Sequence, residues 1–559
     1  MTATTTTTGG TSGTGAPVAA RPATGGNTLA GTRTLIRFIL RRDRVRLPVW
    51  ILALFLGTVA KAANYETLYA TPEDRAAAGR TMESPAALAM TGPRHYLDDY
   101  TFGSMTGHQM LGFMAVLVGL MSILIVTRHT RNEEETNRAE LVRSTVVGRH
   151  APLAAALSVA VLANLALALL LGFGLAAMGI ESVGTGGSLL YGFAHAAVGI
   201  LFAAVAAVTV QITAHTRGAS GMALAVVGLA YVLRAAGDAS GDEALSWLSP
   251  IGWAQRTYVY VDDRWWPLLL CLALAALCAA AAFALSTRRD VGAGLRATRP
   301  GRPAASGALT RPLGFALRLH RPMLAGFAAG LLVMGAMYGS ILGSADDMLK
   351  NIDQIQEALR RTGGATMAES FASMIMVILA VVASVYVVMA SLRPRSEESA
   401  GRAEPLLATG LSRTRWAGSH LFVAMAGGTA VLLVGGAGIG AAGAVSTGDG
   451  GLFLRLLGAS LAYAPALWVT AGVAAVLFGR WPRAASAAWA VPVYAFVVGY
   501  LGKLLRFPGW MNSVSPFGHV PQLPAADMSW TPMVVLTLIA AGLMWLGLDG
   551  FRRRDLETK

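Results

Sequence analysis

Charge is scarce in this sequence. Of its 559 residues only 14% are Asp, Glu, Lys or Arg, whereas 54% are hydrophobic and the mean hydropathy is positive. Soluble domains contain roughly 25% charged residues. The composition therefore excludes an ordinary soluble domain and predicts an integral membrane protein.

Cysteine is nearly absent as well. Cys271 and Cys278 are seven residues apart within one apolar run, which is too far along a helix for them to bridge each other. We expect both to be small packing residues. Their number and placement exclude a disulfide framework and a cysteine-based metal site.

The first 30 residues lack an apolar core. They form a low-complexity tail of Thr, Gly, Ala and Pro, which we expect to be disordered and not to act as a secretory signal. Membrane insertion is therefore expected to depend on the first apolar span.

Long apolar runs dominate the rest of the chain. Most reach the roughly 20 residues that a helix needs to cross the bilayer core. Twelve runs are predicted to span the membrane: 48–62, 110–127, 152–179, 189–213, 219–236, 266–286, 323–343, 371–392, 416–444, 451–478, 484–503 and 531–550. The predicted fold class is an all-α integral membrane protein with about 12 transmembrane helices.

Basic residues are distributed unevenly between these runs. If the N-terminus lies inside, the cytoplasmic segments contain 32 of the 45 Lys and Arg but 12 of the 31 Asp and Glu. This asymmetry follows the positive-inside rule and predicts that the N- and C-termini are both cytoplasmic. The formal net charge of +14 is then a topology signal, and we expect no nucleic acid partner.

The chain also contains an internal repeat. Its clearest members are Glu133-Glu134-x-x-x-Arg138-Ala139-Glu140 and Glu397-Glu398-x-x-x-Arg402-Ala403-Glu404, at an offset of 397 − 133 = 264, and Arg149 matches Arg413 at the same offset. These matches predict two tandem six-helix repeats. Because six is even, the two halves are expected to share a parallel orientation, related by an axis along the membrane normal.

The repeat predicts a domain organisation. A disordered tail covers 1–30, the first half 31–290, a cytoplasmic linker 291–310 and the second half 311–559. In each half a charged segment, at about 128–150 and 393–414, follows the second span on the cytoplasmic side.

Two interpretations of the charged segments are possible. In helical geometry Glu133 and Glu140 face the same way, and Glu134 to Arg138 is an i to i+4 ion pair, as is Glu398 to Arg402. A solvated helix held by its own ion pairs would explain one copy. Two copies at equivalent positions favour a docking surface for a twofold partner.

At these segments the sequence resembles a known family. The stretch "EESAGRAEPLLATGLSRTRWAGSH" is similar to the coupling-helix signature of ABC-2 type permeases. The stretch "RHTRNEEETNRAELVRSTVVGRHAPLAAAL" resembles the fused twelve-helix permeases of actinobacterial polyketide-antibiotic and multidrug exporters of the tetronasin type. Two positions depart between the copies: Asn137 stands opposite Gly401, and Pro405 replaces Leu141. The proline is expected to bend or restart the second helix, so the two docking sites are expected to be unequal.

The resemblance implies a role and a set of partners. It implies a type V, ABC-2 exporter-like fold with elbow helices before spans one and seven, in the plasma membrane of an actinobacterium. Two copies of an ABC ATP-binding subunit would dock on the coupling helices. The residues assigned to this coupling are Glu133, Glu134, Arg138, Glu140, Arg149, Glu397, Glu398, Arg402, Glu404 and Arg413.

A phosphate-binding loop is missing from the chain. No G-x-x-x-x-G-K-[ST] motif occurs in the sequence, so ATP hydrolysis must be supplied by a separate subunit. We expect no enzyme activity and no cofactor in this chain itself, with ATP and Mg²⁺ held by the partner.

The substrate is the least defined part. The spans contain methionines that suit bulky apolar molecules, although ordinary helix packing explains them as well. Arg234 and Lys503 could attract an anionic solute or snorkel to the interface. The candidate pathway residues are Met110, Met114, Met121, Phe371, Met374, Arg234 and Lys503. The expected partners are a hydrophobic small molecule and membrane lipids.

Three functions remain open on the sequence. The first is the permease of an ATP-driven exporter for hydrophobic drugs or antibiotics. The second is an ion-coupled secondary transporter, against which the near absence of carboxylates within the spans argues. The third is an ABC permease for a lipid or cell-envelope component.

Overall fold

A computed structural model describes residues 28–296, 303–344, 367–501 and 509–556. Within these ranges the chain forms helices and turns and no β-strand. In the part of the chain that the structure describes, eleven helices are long and apolar enough to cross a membrane. The prediction of an all-α, multi-pass membrane protein is confirmed at this level.

The chain groups into two compact units. The first contains the chain up to Ala63, Leu111–Val232 and Ser249–Thr298, and the second contains Asn64–Met110, Leu233–Leu248 and Arg299–Lys559. The units are discontinuous in sequence and differ from the two repeat halves, whose boundaries stay a prediction.

The first repeat half contains thirteen described α-helices. They are α1 Thr32–Arg42, α2 Arg46–Leu68, α3 Pro72–Met82, α4 Pro85–Thr91, α5 Phe102–His129, α6 Arg131–Glu135, α7 Arg138–Arg143, α8 Ala151–Ala176, α9 Thr185–Ile212, α10 Thr216–Ser240, α11 Glu243–Trp247, α12 Pro250–Gln255 and α13 Pro267–Ser286. Helices α2, α5, α8, α9, α10 and α13 correspond to the six predicted spans.

The second half contains ten described α-helices. They are α14 Pro312–Ile341, α15 Met367–Ser391, α16 Arg393–Ser399, α17 Ala403–Leu407, α18 Arg413–Thr447, α19 Gly451–Ala462, α20 Ala464–Arg480, α21 Ala490–Phe496, α22 Gly509–Val514 and α23 Trp530–Arg553. Helices α14, α15 and α18, the pair α19 and α20, and α23 account for five predicted spans.

The predicted span at 484–503 differs from the other eleven. Its described part is a 3-10 helix at Pro482–Trp489, the two-turn helix α21 and a π-helix at Val497–Leu501. Pro482 and Pro492 lack the amide hydrogen that continuous α-helical bonding requires. Apolar composition alone therefore overstated the regularity of this segment, and residues 502 and 503 lie outside the described ranges.

The segments flanking the first span follow the sequence signals closely. Thr71 caps α3 in a capping box with Asp74, Ser84 caps α4, and Gly92 follows the end of α4. Helix α1 is a separate amphipathic helix ending in Arg41 and Arg42. In the second half the corresponding basic segment is instead continuous with the span, because α14 runs through Pro322 without a break.

Lone polar side chains within the spans are held by neighbouring groups. Asn164 donates to Ser122 Oγ at 2.9 Å and to the Ala160 carbonyl at 2.8 Å. Gln211 donates to the Ala207 carbonyl at 3.0 Å, and His195 Nδ1 lies 2.8 Å from the Tyr191 carbonyl. These contacts are of the kind that polar residues make in helix packing.

Glycines allow α14 and α18 to pack closely. A Cβ added at Gly339 would lie 2.5 Å from the Ile439 carbonyl oxygen, and one at Gly438 would lie 2.6 Å from the Leu332 carbonyl oxygen. At Gly335 a Cβ would collide with the Gly435 carbonyl oxygen. Small residues at such an interface let two membrane helices approach backbone to backbone.

We expect Gly335→Ala to lower the stability of the second unit. The added methyl group would overpack the α14–α18 interface, which typically costs about 1–3 kcal/mol. Gly330→Ala is the matched control on the same helix, because nothing lies within 4 Å of a Cβ at Gly330. Thermal unfolding in lipid nanodiscs measures the difference, and equal unfolding temperatures for both variants would contradict the close-packing account.

Candidate functional site

The first charged segment forms two short helices instead of one. Helix α6 ends at Glu135 and α7 begins at Arg138, with Asn137 in a left-handed conformation at φ 58°. The predicted i to i+4 pair from Glu134 to Arg138 is therefore wrong, because the two residues belong to different helices. The shared face predicted for Glu133 and Glu140 is lost for the same reason.

The second charged segment breaks at the equivalent position. Helix α16 ends at Ser399, α17 begins at Ala403, and Gly401 is left-handed at φ 70°. Asn and Gly are the two residues that adopt this conformation most readily, so the apparent departure at Asn137 and Gly401 preserves the backbone. Pro405 lies within the first turn of α17, where a proline is tolerated.

We expect Gly401→Val to distort this segment while Gly401→Asn leaves it intact. A left-handed conformation costs an ordinary residue roughly 1–2 kcal/mol, whereas a Cβ at Gly401 meets nothing within 4 Å. Gly410→Val is the control, because Gly410 also has open space around it but no positive φ. Limited proteolysis between residues 399 and 413 reports the change. Faster cleavage of the Asn variant than of the Gly410 variant would argue against a backbone effect.

The first copy is tied to the end of α13 by a bidentate ion pair. Arg289 Nη1 and Nη2 donate to Glu134 Oε2 and Oε1, both at 2.8 Å. The two side chains are only 8% and 9% exposed. Arg131 also donates to Glu134 at 2.7 Å. We call the Glu134–Arg289 pair the first clamp.

The second copy is tied to the end of α23 in the same way. Arg554 Nη1 and Nη2 donate to Glu398 Oε1 and Oε2 at 2.6 and 2.7 Å. Glu398 is 2% exposed and Arg554 14% exposed. This Glu398–Arg554 pair, the second clamp, lies at offsets of 398 − 134 = 264 and 554 − 289 = 265 from the first. Both repeats therefore carry the same charge-assisted contact, in a geometry that is among the strongest in proteins.

A further arginine fastens the far end of each segment. Arg149 donates to the carbonyl oxygens of Thr287 at 2.8 Å and Ser286 at 3.1 Å. Its repeat partner Arg413 donates to the carbonyl oxygen of Arg554 at 2.5 Å. Cations are favoured at helix C-termini, where carbonyl groups lack helical partners. Each charged segment is thus attached at both ends to the last helix of its own half.

The neighbouring carboxylates have different partners in the two copies. Glu133 accepts from Arg42 of α1 at 2.6 Å. Glu397 instead pairs with Arg393 at 2.8 Å and with Arg402 at 2.6 Å. The hydrogen bond to Glu397 raises the pKa of the Arg402 guanidinium. The predicted Glu398 to Arg402 pair is therefore wrong, because Arg402 pairs with the preceding carboxylate.

Three of the ten predicted coupling residues are exposed without such contacts. Arg138, Glu140 and Glu404 lie on α7 and α17, and no ion pair forms at them within the described ranges. Leu141 and Val146 are also exposed, at 74% and 93%. The second short helix of each copy thus carries an exposed carboxylate, Glu140 or Glu404.

The candidate pathway residues do not form one group. Met110, Met114 and Met121 are buried along α5, whereas Phe371 is half-buried and Met374 exposed on α15.

The two candidate cations are placed differently from each other. Arg234 is fully buried, with Nη1 at 3.6 Å from Asp238 Oδ2 and a hydrogen bond to the Leu88 carbonyl at 3.4 Å. Its guanidinium therefore lies in a packed ion pair and does not face solvent. Lys503 lies outside the described residues.

Sequence reasoning missed the arginines of both clamps. Arg289 and Arg554 lie more than 150 residues from their glutamates, so no helical spacing connects them. A signal was nonetheless present: Arg288-Arg289-Asp290-Val291 recurs as Arg553-Arg554-Asp555-Leu556 at an offset of 265. The repeat of this short motif at the end of each half marks both arginines.

Comparisons with known proteins cover most of the chain. The family model "Multidrug efflux system permease Rv1217c, C-terminal domain" matches residues 33–285 and 309–552. The chain is 40% identical over 537 residues to the multidrug efflux system permease protein Rv1217c of Mycobacterium tuberculosis, and the alignment covers 95% of this chain and 96% of that protein. Both charged segments lie within the matched stretches.

Proposed function

Because the chain belongs to the family of multidrug efflux system permeases, we propose that it is the membrane-spanning permease subunit of an ATP-driven ABC exporter. It would move hydrophobic drugs or antibiotics out of the cell. The ATP would be hydrolysed by a separate nucleotide-binding subunit, which also holds the Mg²⁺. This chain would have no enzymatic step and no cofactor of its own.

The observation that carries the proposal is the pair of equivalent clamps. Each links a charged segment to the C-terminal end of the last helix of the same half. A motor that grips the exposed helices α7 and α17 would pull on α13 and α23 through Glu134–Arg289 and Glu398–Arg554. Two copies of one ATPase subunit would match two equivalent docking sites.

The finer architecture is part of the same proposal. We place this permease in the ABC-2 class, of the tetronasin type, with twelve spans in two parallel six-helix halves. Both termini would lie in the cytoplasm and the chain in the plasma membrane. The two matched stretches, of nearly equal length, support the halves, and the distribution of Lys and Arg supports the orientation.

The proposed mechanism requires the ATPase to bind the two conformations of the permease with different affinity. A ligand shifts a conformational equilibrium only by the difference in its affinity for the two states. Closure of the ATPase pair on ATP would change the separation of α7 and α17. The clamps would convert that change into a tilt of α13 and α23, and hence into inward- and outward-open states of the permease.

The test separates ATP-driven from ion-driven export. Cells carrying the permease and its ATPase are loaded with a fluorescent hydrophobic drug, and efflux is followed after a protonophore is added at constant ATP. We expect efflux to continue, and to stop when the catalytic glutamate of the ATPase is replaced. Collapse of efflux with the protonophore alone would instead favour an ion-coupled carrier. Failure of the permease to co-purify with an ATP-binding protein would also overturn the proposal.

A further inference from the structure

A cavity of about 520 Å³ lies inside the first half, next to the first clamp. Its apolar wall includes Leu35, Phe38 and Ile39 of α1 and Leu153 of α8. Val142 of α7 and Val147 add to it from the charged segment. The polar part of the lining contains both signs of charge, from Arg42, Arg149, Arg289, Glu133, Glu134 and Asp290. Every one of these residues belongs to the first unit.

The corresponding place in the second half is filled by aromatic side chains. Trp416, Phe478 and Phe551 form a buried cluster in which none is more than 2% exposed. The ring centroids of Phe478 and Phe551 are 4.8 Å apart, and those of Trp416 and Phe551 are 5.8 Å apart. These are ordinary distances for packed aromatic pairs.

The repeat relates the cavity to this cluster residue by residue. At offsets of 264, 266 and 265, the aromatic residues correspond to Pro152, Ile212 and Ser286. Pro152 and Ser286 line the cavity, and Ile212 follows the lining residue Gln211. Protein interiors are close-packed, with few voids larger than a water molecule. The cavity thus borders two repeat positions, Pro152 and Ser286, at which the second half carries Trp416 and Phe551.

Both the aromatic cluster and the cavity have an arginine beside them, at equivalent repeat positions. In the second half the Arg554 guanidinium lies over the rings of Phe551 and Phe478, at 5.0 and 5.1 Å from their centroids. Its repeat partner Arg289 lines the cavity of the first half. Arg289 thus borders the cavity of the first half, where its guanidinium also pairs with Glu134.

We propose that this cavity is a binding site for a drug-sized aromatic molecule of mainly apolar character. Its ring system would occupy the space that Trp416 and Phe551 fill in the second half, beneath Arg289. The volume falls within the range of small-molecule sites, about 300–1,000 Å³. A ring under a guanidinium also gains a cation–π contact.

A molecule bound in this cavity would contact the first charged segment. The bound ring would touch Val142 and Val147 of that segment on one side and the first clamp on the other. In this arrangement the first half senses an aromatic compound, while the second half holds its own aromatic side chains permanently. The link to export rests on the proposed function, whereas binding itself does not.

Benzophenone, a neutral aromatic that cross-links on illumination, tests the site directly. The purified permease, without nucleotide or ATPase, is embedded in nanodiscs of phosphatidylethanolamine and phosphatidylglycerol and labelled at increasing probe concentration. Mass spectrometry then locates the adducts. We expect saturable labelling within residues 35–42, 139–153 and 286–291. Labelling that rises linearly and is confined to lipid-facing helix surfaces would overturn the proposal.

Filling the cavity supplies the decisive variants. Ser286→Phe restores the side chain of the second half, and we expect saturable labelling to fall by about tenfold or more. Val147→Phe fills the space from the opposite wall and guards against a folding defect in the first variant. Phe551→Ser is the matched control and should leave labelling of the first half unchanged. Unchanged labelling in both filled variants would refute the site, whereas intact labelling without ATP-driven efflux would refute only the proposed function.

Discussion

Replacement of Glu134 and Glu398 together by glutamine is expected to abolish drug-stimulated ATP hydrolysis in the reconstituted exporter. Glutamine keeps the size of the side chain but removes the charge from a nearly buried bidentate pair. Loss of one partner of a buried ion pair costs about 3–5 kcal/mol, so each segment would be held to the last helix of its half only at its far end, by Arg149 or Arg413. We expect at least a tenfold loss of stimulation, measured as phosphate release with and without drug.

A substitution that keeps the charge distinguishes a broken contact from a general defect. Glu134→Asp combined with Glu398→Asp retains a carboxylate opposite each arginine, and it should keep part of the stimulation that the double glutamine variant loses. Glu181→Gln, at an exposed position, serves as a control for the change of charge. Full stimulation in the double glutamine variant would show that the clamps do not transmit force.

Reversal of charge at Glu140 and Glu404 is expected to prevent binding of the ATPase without unfolding the permease. Both side chains are exposed on α7 and α17, and surface substitutions of this kind usually change stability by no more than about 0.5 kcal/mol. A repulsive charge at a protein interface, by contrast, costs several kcal/mol. Co-purification of the ATPase with Glu140→Lys/Glu404→Lys measures the effect, which we expect to be a loss of at least tenfold.

The two single substitutions test whether the docking sites are equal. If both helices dock a motor subunit, each of Glu140→Lys and Glu404→Lys should reduce the bound ATPase by about half. Glu181→Lys provides the matched charge reversal elsewhere on the surface, and it should leave binding unchanged. Normal recovery of the ATPase with the double variant would remove the docking assignment from both helices, even if the clamps prove essential.

Most of the fold could be predicted because the length of an apolar run indicates whether it can form a helix that spans the membrane. Eleven of the twelve predicted spans have a membrane-length helix at their position. The exception, 484–503, is also an apolar run, but hydropathy does not register that Pro492 lacks the amide hydrogen for continuous α-helical bonding. Helix α1 could be predicted from its mixture of arginine and apolar residues. The sequence did not show that the corresponding basic segment of the second half would be part of the spanning helix α14.

The candidate site was predicted at the level of segments but not of contacts. The repeat predicts two charged stretches at equivalent positions, and in the structure each forms two short helices, with Glu140 and Glu404 exposed on the second. Their docking role stays a prediction. The partners of Glu134 and Glu398 were misassigned, because i to i+4 spacing describes only contacts within one helix. Left-handed residues at Asn137 and Gly401 break that helix, and the clamp arginines come from the distant end of each half.

Each clamp closes entirely within its own half. A gene severed between the halves would therefore yield two polypeptides, each of which still contains its glutamate, its arginine and the helix they join. The tie between each charged segment and its last helix therefore does not depend on the covalent connection between the two halves.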